Sequence, residues 1–231
     1  SDFLTNDLLS KTNMPKEKVE TIYIGVDPEK FDNPSKKNIL KKEYNLSEDT
    51  IIVGLIGRID IGKGQDKFVE AIKIISDKIK DNKKIKFFIV GSAEKGAGED
   101  YVVKLKNRAK DLGIDNQIIF TGFRKDIPEI MNSVDIAVFP SKDEAFGLVV
   151  IEAMASQKAV VGFRRGAFPE IIVDGETGIM TDYTEKALAD GIYELIVSDD
   201  KRSRFAENAK KRVLEKFQLK DTIKKLLDIY K

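Results

Sequence analysis

The stretch IIVGLIGRIDIGKGQDKFVEAIKII, residues 51–75, combines three patterns that together specify one kind of structure. It opens with the nearly continuous apolar run Ile51–Ile56, continues through the glycine-rich segment Gly57–Gly64, and then turns helical. The helical face is marked by Phe68, Ala71, Ile72 and Ile75. An apolar run without polar alternation is typical of a strand covered on both faces, so the stretch predicts a buried strand, a loop and an amphipathic helix.

The same order of strand and helix recurs along the chain. Further strands are predicted at Ile85–Val90, Gln117–Phe120, Asp135–Phe139 and Ala159–Phe163, with a shorter one near Ile179. A second helical face carries Val102, Leu105, Ala109 and Leu112. Two helices close the chain, striped by Ala206, Ala209, Val213 and Phe217 and by Ile223, Leu226, Leu227 and Tyr230. The alternation predicts an α/β protein with a doubly wound, Rossmann-like parallel sheet.

Residues 1–35 have a different pattern. A helical piece, Leu4–Lys11, is followed by the strand-like VETIYIG (19–25) and by a turn at Asp27-Pro28. Of these pieces, only VETIYIG has the composition to join the main sheet.

Composition excludes several classes of function. Lys and Arg number 40 against 39 Asp and Glu, so a net charge of +1 offers no electrostatic case for nucleic acid. The chain has no Cys and no His, which removes disulfides, thiolate chemistry, His-based nucleophile pairs and the commonest metal ligand. Any chemistry must therefore use carboxylates, Lys, Arg and main-chain dipoles. No apolar run approaches the roughly 20 residues of a membrane span.

In doubly wound sheets, ligands bind beyond the carboxyl ends of the strands, so the loops there are the places to search. The first loop, Gly57–Gly64, places Arg58 and Lys63 where they could hold a diphosphate. The alternative is a tight turn with solvated charges. A P-loop NTPase is disfavoured, because Gly64 stands where a magnesium-binding Ser or Thr is needed.

The second loop, Pro140–Gly147, leads into a helix opened by Gly147. The N–H groups of a first helical turn form an anion site. Glu144 and Glu152 stand eight positions apart, a spacing that can bring both carboxylates to one cleft, where they suit the hydroxyl groups of a sugar. The alternative is that Glu152 is a satisfied helix acid and Glu144 a first-turn charge.

Two further loops follow strands. In Gly122–Pro128, Phe123 and Arg124 could stack on a base, although core packing by Phe123 is an equal alternative. The segment Gly166–Ile171 could be a turn capped by a short helix.

Taken in order, these segments resemble the carboxyl-terminal domain of the group 1 (family 4) retaining glycosyltransferases, relatives of sucrose synthase and bacterial glycogen synthase. The matching stretches are VGLIGRIDIGKGQDKFVEAI, FFIVGSAEKG, IIFTGFRKDIPEIMNSVDIAVFPSKDEAFGLVVIEAMASQKAVVG and GAFPEIIVDGETGIM. The similarity covers roughly Ile51 to Asp182 and centres on the Glu–seven residues–Glu element from Glu144 to Glu152. It implies the C-terminal half of a GT-B glycosyltransferase, in which two Rossmann-like halves face each other across a cleft.

The resemblance implies that this half binds a nucleotide-sugar donor, with UDP- or GDP-sugars expected. Arg58 and Lys63 would clamp the diphosphate, aided by the N–H groups of Gly147, Leu148 and Val149. Such enzymes usually need no metal, because the cations and the helix terminus neutralise the leaving diphosphate. No metal site and no cofactor are therefore expected.

The remaining roles also come from the resemblance. Glu152 would accept hydrogen bonds from the ribose, whereas Glu144 would lie beside the donor sugar and serve as the catalytic residue. Phe123 and Arg124 would flank the base. The sugar would meet the main-chain N–H groups of Phe146 and Gly147.

The resemblance also divides the chain. Residues 1–35 would be a remnant of an amino-terminal domain and the interdomain linker, with Ile24 where the family usually has Asn. Residues 36–231 would form the donor-binding domain, ending in crossover helices from about residue 205. The acceptor-binding domain would be missing, which fits the lack of His and of a starting Met. The full enzyme would be cytoplasmic, and many relatives work at the membrane face on lipid-linked acceptors.

Other functions on this fold stay open. A non-catalytic module that binds a nucleotide or a sugar phosphate would have the same loops. A sugar-nucleotide epimerase would be expected to use more acid and base groups. An NAD-dependent dehydrogenase is disfavoured, because no G-x-G-x-x-G follows the first strand.

Overall fold

The computed structural model describes residues 1–32, 37–79 and 83–231. Its centre is one sheet of six parallel strands in the order β3-β2-β1-β4-β5-β6. The strands are β1 (Ile51–Ile56), β2 (Ile85–Val90), β3 (Ile118–Gly122), β4 (Ile136–Phe139), β5 (Ala159–Phe163) and β6 (Gly178–Thr181). The predicted doubly wound α/β fold is confirmed, and each predicted strand lies within two residues of its observed bounds.

Helices cover both faces of the sheet. They are α1 (Asp2–Lys11), α2 (Pro28–Phe31), α3 (Ile39–Glu43), α4 (Gln65–Lys78), α5 (Ala97–Asp111), α6 (Ile127–Ser133), α7 (Leu148–Ala155), α8 (Phe168–Ile171), α9 (Glu185–Val197), α10 (Asp199–Lys216) and α11 (Leu219–Ile229). Alternate residues of β1 supply two separate cores. Ile52 and Ile56 pack in the core of α6, α7 and α10, whereas Val53 and Leu55 pack in the core of α4, α5 and α9.

The amino-terminal segment contains one wrong prediction. The stretch VETIYIG, residues 19–25, forms no strand and does not join the sheet. It runs instead along the junction of α10 and α11, where the Thr222 hydroxyl accepts a hydrogen bond from the Gly25 N–H (2.8 Å) and donates to the Tyr23 carbonyl (2.9 Å). Next to it, Val26 forms an isolated bridge with Gln218. Contacts of Tyr23 with Phe146 and Phe217 hold the segment, so tertiary packing overrides its strand-like composition.

The structure describes the predicted turn at Asp27-Pro28 and the last helix, but not the predicted domain boundary. The Asp27-Pro28 turn is the start of α2, because the Asp27 side chain caps the Glu29 N–H. The boundary predicted between residues 35 and 36 lies outside the described residues. Helix α11 is present, and its apolar stripe is largely exposed, with Tyr230 at 85%. Within the described part of the chain, no helix has the length and apolar character needed to cross a membrane.

Candidate functional site

The loops singled out in the sequence meet at one edge of the sheet. They follow β1, β3, β4 and β5, and the carboxyl ends of parallel strands all point the same way. The loop that follows β2 joins them there, because the Ile59 N–H donates to the carbonyl of Ser92 (3.0 Å). The architecture therefore brings together segments that are far apart in the chain.

Two adjoining cavities open at this edge. The first, of about 420 Å³, is lined by Ser92, Glu94, Phe123, Arg124 and Glu152 among others. The second, of about 340 Å³, is lined by residues that include Lys63, Ser141, Glu144, Gly147 and Leu148. The two cavities share four wall residues: Ile56, Gly57, Arg58 and Val149. A ligand with two parts joined by a short linker could therefore occupy both, with its linker beside Arg58.

Two larger hollows, of about 540 Å³ each, lie at the opposite end of the strands. Both include Lys83 and Lys84, but these cations already have partners. Lys83 donates to the Ile196 carbonyl (3.1 Å), and Lys84 pairs with Asp49 (3.4 Å). In parallel α/β proteins this end of the sheet is not where ligands bind, so we place the site at the carboxyl edge.

Both predicted diphosphate-binding cations lie in the loop Gly57–Gly64, and each is paired with a carboxylate. Arg58 Nη1 lies 2.9 Å from Glu94 Oε1, and its side chain is 56% exposed. Lys63 Nζ lies 2.7 Å from Glu144 Oε2, and Glu144 is only 16% exposed. A bound anion would have to share or replace these carboxylates.

The loop is held in place at Gly64. This residue is left-handed (φ 73°), and a Cβ added to it would overlap the carbonyl oxygen of Pro140. Glycine is the residue that tolerates both conditions. The Lys142 N–H, in the same second loop, donates to the Gly62 carbonyl (3.0 Å). These main-chain contacts are what bring Lys63 and Glu144 together.

Helix α7 supplies the predicted anion-binding terminus. Gly147 precedes it in a left-handed conformation (φ 94°), and its carbonyl accepts the Val150 N–H at 2.9 Å. The N–H groups of a first turn have no partner within their helix. Leu148 and Val149, the first two residues of α7, line the second cavity, and Val149 also lines the first.

The two predicted carboxylates separate into the two cavities. Glu144 lines the second, beside Lys63, and its carbonyl accepts the Ala167 N–H (2.9 Å). Glu152 lies half-buried on α7 and lines the first. Burial raises the pKa of the Glu152 carboxyl, because it disfavours the ionised form. The spacing of Glu144 and Glu152 predicts one cleft for both carboxylates. In the structure they line two adjoining cavities that share four wall residues.

Phe146 and Phe123 have opposite surroundings. The Phe146 ring is 9% exposed and stacks on Tyr23 at 5.9 Å, so its side chain is part of the core, and Phe146 lines neither of the two cavities. Phe123 is 69% exposed at the wall of the first cavity, which contradicts the alternative of core packing. Such a ring offers a free face for stacking.

Arg124, beside Phe123, is held by two carboxylates. It donates to Asp126 from Nε and Nη2 (2.8 and 2.7 Å) and to Glu43 from Nη1 (2.7 Å). Hydrogen bonds from Asp126, and then from Glu43, raise the pKa of Arg124 further above its ordinary value. Its planar group is therefore fixed at the cavity wall.

The loop Gly166–Ile171 is a turn followed by the short helix α8, as one alternative predicted. Its Glu170 has a role that the sequence did not indicate. The carboxylate accepts from the N–H groups of Asp2 (2.8 Å) and Phe3 (2.7 Å), the first turn of α1. Negative charge at a helix amino terminus is favourable, so Glu170 fixes α1 beside the second loop.

Sequence reasoning also missed Glu94 and Gln65. Glu94 stands in the loop after β2 and pairs with Arg58, while Gln65 is buried below the first loop. A systematic search of the loop after every strand would have found Glu94.

Within residues 1–32, 37–79 and 83–231, no group of three or more acidic side chains is placed to hold a metal ion.

Comparison with known proteins gives a consistent result. The sequence profile of the family "Glycosyl transferases group 1" matches residues 36–212. An uncharacterized glycosyltransferase of Methanocaldococcus jannaschii, MJ1607, is 29% identical over 237 residues, covering 100% of this chain and 58% of that protein. The chain spans about half the length of several other curated relatives that it matches.

Two solved structures share the fold. Anabaena Alr3699/HepE, solved in complex with UDP and glucose, superimposes with a TM-score of 0.85 at 27% identity over 94% of this chain and 57% of that one. The carboxyl-terminal domain of a group 1 family protein (LpcC) from Francisella tularensis gives a TM-score of 0.75 at 32% identity, covering 84% of this chain and 100% of that one.

Replacing Glu152 by Gln should raise the melting temperature at neutral and alkaline pH. A carboxyl whose pKa is raised in the folded state destabilises the protein above that pKa and has no such effect below the unfolded-state pKa. The advantage of E152Q should therefore shrink as the pH falls from about 8 to about 4, near the ordinary glutamate pKa. Thermal unfolding of E152Q and wild type across this pH range measures the difference in melting temperature.

Glu207→Gln is the matched control, because Glu207 is exposed on α10. It should melt like wild type throughout. An E152Q protein that melts no higher than wild type at about pH 8 would show that the Glu152 carboxylate is not destabilised by burial.

Proposed function

The chain belongs to the glycosyl transferases of group 1, and on that premise we propose that it binds the donor of a retaining sugar transfer. The donor is a nucleoside diphosphate sugar held at the carboxyl ends of the strands. The observation that carries this proposal is the pair of cavities that share Arg58 and Val149 in their walls. Their arrangement matches a ligand with a nucleoside at one end, a sugar at the other and a diphosphate between.

The nucleoside occupies the first cavity. The exposed ring of Phe123 stacks on the base, and Arg124 flanks it. Glu152 accepts hydrogen bonds from the two ribose hydroxyls, which suit a carboxylate because both donate. Hydrogen bonds from the ribose hydroxyls would stabilise the ionised form of Glu152, which burial disfavours.

The diphosphate lies at the junction. Arg58 and Lys63 approach it from the first loop, and the N–H groups of Leu148 and Val149 approach from the start of α7, where the helix dipole favours negative charge. As the bond to the sugar breaks, negative charge grows on the leaving diphosphate. Donors already in place lower the cost of that charge, and this is the chemistry that the chain supplies.

The sugar occupies the second cavity, which Glu144 and Gly147 line, and it accepts hydrogen bonds from the main-chain N–H groups of Gly147 and of the preceding Phe146. We assign Glu144 the catalytic role because its carboxylate, 16% exposed, is held by Lys63 at the wall of that cavity. Carboxylate oxygens accept from sugar hydroxyls and stabilise positive charge that develops on the sugar ring.

UDP is the nucleotide that we test first. HepE has been solved with UDP, with UDP and glucose, and with UDP-glucose. Its similarity to this chain covers 94% of this chain and 57–58% of HepE. GDP-sugars remain within the proposal. The donor site proposed from this chain needs no metal.

The complete enzyme adds an acceptor-binding domain to the part described here. Residues 1–35 then belong to the end of that domain and the linker, and residues 36–231 are the donor domain, with crossover helices from about residue 205. The complete enzyme works in the cytoplasm, at the inner membrane face where its acceptor is lipid-linked.

Lys63→Ala should weaken UDP binding by about 1.5–3 kcal/mol, the contribution of a charge-assisted hydrogen bond. The lower end is expected, because in the free protein Lys63 first gives up part of its contact with Glu144. Isothermal titration calorimetry measures the change. Lys142→Ala is the control, since Lys142 is an exposed cation of the neighbouring loop that lines neither cavity. Equal affinities for K63A and wild type would remove Lys63 from the site.

The 231-residue chain alone should bind donor but transfer no sugar. Catalysis needs donor and acceptor in near-attack geometry, an effect of roughly 7–11 kcal/mol that a donor domain by itself does not provide. A product assay with UDP-glucose and candidate acceptors should show at most slow release of free glucose. Acceptor-dependent product from this chain would overturn the proposal that a second domain is required.

A further inference from the structure

Gln65, the first residue of α4, is a fully buried polar side chain directly below the first loop. Its exposed fraction is 0%, and its Nε2 donates to the main-chain carbonyl of Arg58 at 2.9 Å. The partner is a carbonyl oxygen, so the amide nitrogen must face it and the amide orientation is fixed by the contact. The side chain thus links the start of α4 to the residue that the proposed function places on the diphosphate.

The other half of the amide is unsatisfied. Gln65 Oε1 is buried and finds no hydrogen-bond donor in residues 1–32, 37–79 and 83–231. Burying an unpaired carbonyl destabilises a protein, and a Met of similar shape would fill the space without that penalty. What explains a glutamine here is its one hydrogen bond, from Nε2 to the Arg58 carbonyl.

The contact completes a clamp around the Arg58 peptide. On one side the Gly57 N–H donates to Val90 (2.9 Å), and on the other the Ile59 N–H donates to Ser92 (3.0 Å). Gln65 holds the carbonyl between them. The Arg58 side chain itself is 56% exposed and can change partners, so the main chain is what sets its direction.

We propose that Gln65 is a positioning residue for the diphosphate: it acts through Arg58, whose main chain it fixes, without touching the ligand. This inference rests on the proposed function, because it assigns Gln65 to the same donor site. Without the Gln65 amide, the peptide plane of Arg58 and Ile59 keeps the bond from its Ile59 N–H to Ser92 but loses the restraint on its carbonyl, so it can tilt about that bond. The guanidinium group then reaches the diphosphate from a wider range of directions and binds it less well.

A double-mutant cycle tests the coupling. UDP is titrated into wild type, Gln65→Met, Arg58→Ala and the double variant. Q65M should weaken UDP roughly three- to tenfold, the size of one neutral hydrogen bond. In the R58A background the same substitution should have almost no effect, because the group that Gln65 positions is gone. Ser156→Ala, which removes a buried hydroxyl that has no hydrogen-bond partner in the described part of the chain and lies just past the carboxyl end of α7, should bind UDP like wild type.

The outcomes separate this inference from the proposed function. If R58A weakens UDP but Q65M has no effect, or if the two losses multiply in the double variant, Gln65 is not a positioning residue and the inference falls alone. If wild type does not bind UDP, GDP or ADP, or if R58A binds UDP like wild type, the proposed function fails and the inference fails with it. Should Q65M not fold, Gln65→Leu takes its place in the cycle, since an aliphatic side chain fills much of the same space and cannot donate to the Arg58 carbonyl.

Discussion

The contact of Gly64 with the carbonyl oxygen of Pro140 is the constraint on which the site depends. A left-handed residue without a Cβ lets the loop after β1 touch the loop after β4 main chain to main chain. That approach places Lys63 within 2.7 Å of Glu144, although the two are 81 positions apart in the chain. It also brings Arg58 to the wall that the two cavities share. Any side chain at Gly64 would separate the cations from the start of α7.

Charge in the free site is balanced before a ligand arrives. Arg58 and Lys63 are each paired with a glutamate, so neither cation is exposed alone. The arrangement lowers the gain on binding a diphosphate, since existing ion pairs must be shared or broken. In the proposed function, the same ion pair favours the complete donor over the free nucleotide: when Lys63 moves toward the diphosphate, hydroxyl groups of the sugar replace it beside the Glu144 carboxylate.

The fold and the positions of the charged residues could be predicted from sequence, because both follow from local patterns. Apolar runs identified every strand, and loops after parallel strands necessarily converge, which located Arg58, Lys63 and Glu144. Where tertiary contacts decide, prediction failed. VETIYIG has strand composition but packs on α10 and α11. The spacing of Glu144, in the loop before α7, and Glu152, on α7, did not show that they line two different cavities of the same edge. Gln65 has no local signature, since its partner is a main-chain carbonyl.

The central claim is that the nucleoside and the sugar occupy separate cavities, where Glu152 binds the ribose and Glu144 binds the sugar. Calorimetric titration of UDP and UDP-glucose into wild type, Glu152→Gln and Glu144→Gln tests it most directly. The account predicts that E152Q weakens both ligands by a similar factor, because both carry the ribose. E144Q should bind UDP at least as tightly as wild type, because Lys63 no longer has to give up an ion pair, and it should lose the preference for UDP-glucose over UDP. An E152Q protein that binds UDP like wild type, or an E144Q protein that keeps the wild-type preference for UDP-glucose, would contradict it.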